Sequence, residues 1–151
     1  MPLNNRRSII ILFFLVVVTN FYSCKQKTDS ENSGPEVTPI FQTEEFQTFY
    51  DQFGRDSAFQ MNHIIFPLEG TRRPVDSLDQ IPPDFRWQKD GWLIHRTYDD
   101  MDGTFTREMM DLSGIVIERI SDQSGKYTME RRFGKLSSGW NLIYYRELGI
   151  Y

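Results

Sequence analysis

A chain of 151 residues with 17 Lys and Arg against 21 Asp and Glu carries a net charge of −4 and has one cysteine. An acidic exterior argues against nucleic acid, whose phosphates call for clustered Lys and Arg, and a single sulfur excludes an internal disulfide or a multi-cysteine metal site. With 15 % aromatic residues, 12 of them Phe, the chain is equipped to hold one core by packing alone.

The leader comes first. Arg6-Arg7 stand ahead of Ile9 to Val18, a run with no polar side chain, and Ser23-Cys24 close the stretch. A basic head, a short apolar run and a small residue before the cut form the layout of a secretory signal. The run also falls short of the roughly 17–25 residues that span a bilayer. The Ser23-Cys24 step resembles the processing site of a bacterial lipoprotein, which implies removal of residues 1–23 and acylation of Cys24. The alternative is an uncleaved anchor helix extended to Tyr22. The leader holds two of the 17 basic residues and none of the 21 acids, so the remaining 128 residues carry −6. Such a surface does not adhere electrostatically to anionic lipid. Attachment to the membrane then comes from acyl chains on Cys24, at about 0.8 kcal/mol per buried methylene. Lys25, where an acidic residue would otherwise follow the cysteine, implies by the same resemblance the outer membrane, facing the periplasm. From Cys24 to Pro39 the chain is polar, broken by Gly34, Pro35 and Pro39. It reads as a disordered tether reaching roughly 20 Å.

The folded domain is expected over residues 40–151. Thr43 suits a helix cap, Glu44 and Glu45 suit the positive end of the helix dipole, and Gly54 suits its end. Phe46, Phe49, Tyr50 and Phe53 recur at helical spacing and give the helix one aromatic face. Asp56 or Ser57 offers a cap for one more turn. The period then turns to two, and the expected strands are Phe59–Phe66, ended by Pro67, and Phe85–Gln88. After the Lys89-Asp90-Gly91 turn come Trp92–Tyr98, Thr104–Met110, Ile115–Ser121, Lys126–Phe133 and Trp140–Leu148. Short turns and the lack of a long helix between strands predict an α+β fold. Its short N-terminal aromatic-faced helix packs on a curved antiparallel meander sheet of about six strands.

Three runs carry a family resemblance: Phe46-x-x-Phe49-Tyr50-x-x-Phe53-x-x-Asp56-x-x-Phe59-Gln60, then Ile65-Phe66-Pro67-Leu68-x-Gly70, then Gly139-Trp140-x-Leu142. Together they resemble a family of Bacteroides-type lipoproteins of unknown function, whose domain is similar to the cone-shaped NTF2-like fold. The resemblance covers roughly Phe41 to Leu148, a length typical of one domain. It implies a fold and brings no catalytic residue.

Chemical motifs are sparse. Asp99-Asp100-Met101-Asp102-Gly103 is read as a turn, because an EF-hand loop would also need acids where Tyr98 and Met109 stand. His63 and His95 fall on separate expected strands with no third metal ligand and no HExxH pattern. Either could serve a small NTF2-like enzyme with a nearby carboxylate. No motif implies a cofactor. Alternation along the strands, however, places one arginine in each apolar set: Arg96, Arg107, Arg119, Arg131 and Arg146, the last beside Tyr144. Glu108, Glu118, Glu130 and Glu147 take the opposite parity. Arginines lining an aromatic surface would grip the carboxylate or phosphate of a small apolar anion. Snorkelling of strand-end arginines to water is the plainer alternative. Five such charges converge only where anions separate them. The function expected is therefore a lipid-anchored envelope protein that binds a ligand or an envelope protein partner without catalysis. A small enzyme and a structural subunit docking along an exposed strand stand as alternatives.

Overall fold

The computed structural model describes residues 38–99 and 103–149. The leader, Cys24, the tether up to residue 37 and Asp100–Asp102 lie outside the described residues.

A single 3-10 turn, Ile40–Gln42, leads into helix α1, Glu44–Arg55. Thr43 caps it, accepting from the Phe46 amide at 3.4 Å. Phe46, Phe49, Tyr50 and Phe53 are buried as their spacing requires. Gly54 does not end the helix. A methyl group there would lie 2.3 Å from Thr97 Oγ1, so the glycine permits the close approach of a neighbouring segment. Asp56 caps a second helix, α2, Ser57–Asn62, through bonds to the amides of Ala58 and Phe59 at 2.9 and 3.0 Å. The expected strand over Phe59–Phe66 is thus helical in its first half. Phe59 and Met61 alternate as in a strand, but the Asp56 cap and the inward turn of Gln60 favour the helix.

Six strands form one sheet in the order β2-β1-β6-β5-β4-β3. Their ranges are β1 Ile64–Thr71, β2 Arg86–Trp87, β3 Phe105–Leu112, β4 Ile115–Asp122, β5 Thr128–Leu136 and β6 Gly139–Leu148. The meander β3 to β6 is antiparallel, as expected, but β1 runs parallel to β6, so the sheet is mixed. Pro67 lies inside β1 rather than at its end. It falls where the register to β6 shifts, between the pairs Ile64–Leu142 and Glu69–Tyr144, a place that needs no ladder donor. At the β3–β4 turn Ser113 and Gly114 both take positive φ, 51° and 82°, as a two-residue hairpin of matching twist requires.

Trp92–Tyr98, expected as a strand, belongs to no strand. Its backbone is held instead by the buried Gln60 side chain, whose Nε2 donates to the Phe53 and His95 carbonyls, each at 2.7 Å. Gln60 Oε1 accepts from the His95 amide at 2.8 Å and from Trp92 Nε1 at 3.4 Å. One side chain does for this segment what a partner strand would do.

The helices cover one sheet face, where the Phe46 ring meets Phe133 at 5.8 Å and Trp140 at 5.1 Å. Val116, Leu142 and Tyr145 complete this core. The register of β4 against β5 and one bulge in β6 rearrange the arginines. Glu118 pairs with Arg131 and Arg119 with Glu130 across β4–β5, so Glu118, not Arg119, shares the helix-bearing face with Arg131. A bulge opposite Arg132–Phe133 then sends Tyr144 and Arg146 to the face opposite Leu142.

Candidate functional site

The five expected arginines do not share one surface. Arg107 and Arg131 belong to the helix-bearing face and hold Glu118, a carboxylate with no exposure. Arg107 Nε donates to Glu118 Oε1 at 2.7 Å and Arg131 Nε to Oε2 at 2.6 Å. Tyr50 of α1 joins them, donating to Glu118 and accepting from Arg131 Nη2 at 3.0 Å. Burial, and then the Glu118 charge and hydrogen bond, push the Tyr50 phenol up despite the Arg131 charge, so it stays a neutral donor.

Arg119 and Arg146 lie on the opposite face with Arg132, all three bonded to Glu130. Tyr144 lies against Arg132, its ring 4.2 Å from the guanidinium carbon. Glu118 and Glu130, expected on a wetted face, are the buried anions that let the arginines gather. The two groups stand on different faces, so five guanidiniums grip no common ligand.

Arg96 is elsewhere, in the segment that Gln60 holds. Together with Arg73, Tyr98 and Asp99 it forms one side of a cavity of about 500 Å³. Phe105 of β3, Ile120 of β4, Met129 of β5 and Tyr145 and Glu147 of β6 form the sheet side. Arg96 is exposed and makes no ion pair among the described residues. A smaller cavity of about 260 Å³ adjoins it, sharing Arg73, Tyr145 and Glu147 and adding Trp87, Trp92 and His95. Tyr145 donates to Glu147 at 2.7 Å across this shared wall. Burial, followed by that bond, raises its phenol well above the ordinary value.

Neither histidine pairs with a carboxylate among the described residues. His63 stacks on Phe59 with ring centres 3.8 Å apart, and its Nδ1 meets the Phe59 carbonyl at 2.8 Å. His95 packs between Trp92 and Tyr145 at 4.7 and 4.5 Å, and its Nδ1 is buried without a partner. Burial, and then the Arg131 charge, lower its pKa to about 3, so the imidazole is neutral at physiological pH and a weak base. Arg73, Tyr145 and Glu147 were not legible as site residues. Arg73 comes from a proline-bearing loop, and the two β6 residues turn inward only because of the bulge.

No family model and no curated protein matches the chain. Among solved structures it is similar to the crystal structure of an NTF2-like protein from Bacteroides fragilis NCTC 9343, at 18 % identity and a TM-score of 0.50. The match covers 72 % of this chain and 49 % of the other, so the chain spans about half the length of that protein. Helices on one face of a six-stranded mixed sheet, with a cavity under a crossing segment, make this an NTF2-like α+β fold.

Proposed function

We propose that the protein is held in the cell envelope by lipid on Cys24, at the outer membrane facing the periplasm. Its larger cavity binds a small amphiphile bearing one acidic group, without converting it. The cavity itself carries the binding half of this reading. Its sheet side offers Phe105, Ile120 and Met129 to an apolar body, and Arg96 stands opposite without an acidic partner among the described residues. Glu147 is occupied by Tyr145, and Asp99 lies on the Arg96 side, so the site suits a single small anionic head. The anchoring half is supported by the basic, apolar and Ser23-Cys24 order of the leader.

Mass spectrometry of the protein extracted from its native membrane reads both halves, through the mass added at Cys24 and any ligand carried along. The sharper test is a titration followed by tryptophan fluorescence with a medium-chain carboxylic acid and its matching alcohol. A charge-assisted bond is worth about 1.5–3 kcal/mol, so Arg96→Gln weakens the acid by roughly tenfold or more and leaves the alcohol unchanged. Acid and alcohol binding alike to both proteins overturns the reading. A second reading, a small enzyme, is favoured by one observation: His95 and Glu147 both line the smaller cavity. Turnover of a bound molecule that His95→Gln abolishes would establish it.

A further inference from the structure

On the sheet face away from the helices, three guanidinium groups meet one carboxylate. Glu130 of β5 has a side chain only 2 % exposed, covered by Arg119, Arg132 and Arg146. Its Oε2 accepts from Arg119 Nη2 at 3.1 Å and from Arg146 Nη2 at 2.8 Å, and its Oε1 accepts from Arg132 Nε at 2.8 Å. Burial alone would raise this carboxyl, but the Arg132 and Arg119 bonds and the Arg146 charge outweigh it and hold it below the ordinary range. The Tyr144 ring against Arg132 fixes the plane of that guanidinium.

The charges do not balance. One carboxylate offsets one of three guanidiniums, and like charges on neighbouring strands repel. Glu108 lies opposite Arg119 in the β3–β4 ladder but makes no ion pair among the described residues. An excess positive charge therefore persists in an acidic chain, on side chains still 29–39 % exposed. Donors are also left over. Arg119 Nε and Nη1, Arg132 Nη1 and Arg146 Nη1 have no protein partner among the described residues. Arg146 Nε is buried and equally unpartnered. Arg146 Nε is too deeply covered for an outside acceptor to reach, so the donors open to one are those left over on the partly exposed ends of the three side chains.

We propose that Arg119, Arg132 and Arg146 form an anion site, gathered by Glu130 from beneath and completed from outside by a phosphate or sulfate ester. A tetrahedral oxyanion presents three or more acceptor oxygens to the several unused donors, where a carboxylate offers two. The site shares no residue with the cavity, so its failure and that of the cavity reading are separable.

Inorganic phosphate is the first probe, with the arginine Nε–H signals of the full chain carrying Cys24→Ser followed by NMR. Saturable shifts at the three arginines are expected. Arg132→Gln should weaken phosphate roughly tenfold, and Arg119→Lys, which keeps the charge but loses the planar fork, should weaken it less. Glu130→Gln separates a built site from bare charge, since loss of the template lets the three arginines part and weakens phosphate even though the net positive charge rises. A second arm adds vesicles of phosphatidylglycerol or of phosphatidylcholine. Displacement of phosphate by the first alone assigns the site to a lipid headgroup, and no displacement assigns it to a free ester. Shifts that chloride reproduces, or that all three variants leave unchanged, overturn the proposal.

Discussion

Arg131 shows how much can rest on a single side chain. It is 2 % exposed, bonds Glu118 and Tyr50, and lies within 5.9 Å of the Phe133 ring. Removing one partner of a buried ion pair leaves an uncompensated charge, so Arg131→Ala is expected to cost about 3–5 kcal/mol, less whatever Arg107 retains. Urea unfolding measures it. His95 makes a different contribution. The unfolded chain takes up a proton near pH 6.5 that the folded imidazole refuses until about pH 3. Stability therefore falls as pH drops through that interval, by up to about 1.4 kcal/mol per unit, and this group adds no slope above it. Unfolding at pH 7 and pH 5 should show the loss, and His95→Gln should flatten it. Glu130 acts at lower pH: its carboxyl is held down in the fold, so its contribution is present above the ordinary carboxylate range and lost on acidification through the folded value.

At the level of elements, α1 and the β3 to β6 meander were legible because each carries its own signal: a cap with a helical aromatic period, or alternation bounded by tight turns. The segment from Trp92 to Tyr98 alternates just as well, yet pairs with nothing. Its partner is Gln60, thirty-odd positions away and in a helix, and periodicity holds no trace of that. Gln60→Ala removes four bonds and leaves the His95 amide and carbonyl unmet, at a cost of roughly 2–4 kcal/mol. Hydrogen exchange at the His95 amide should speed up before any strand amide does. The amphiphile proposed for the larger cavity should bind more weakly in the same variant, since Arg96 rides on that segment. The candidate site was half legible for a related reason. Arg96, expected as one of five arginines on a common strand face, lines the cavity alone of that set, whereas Tyr145 and Glu147 were placed by a bulge that shifts the alternation of β6 midway.

For the molecule as a whole, the strand order has a consequence for how the chain reaches its folded state. The last strand in sequence, β6, is an interior one: β1 flanks it on one side and β5 on the other. Until Gly139–Leu148 arrives, the hairpin of β1 and β2 and the sheet of β3 to β5 have no common seam, and Glu118, Arg131 and the aromatic helix lack a closed roof. Joining ends so far apart along the chain is slow, because the loop must be closed before any contact rewards it. A sheet built this way has one keystone: it becomes continuous only when Gly139–Leu148 docks between β1 and β5.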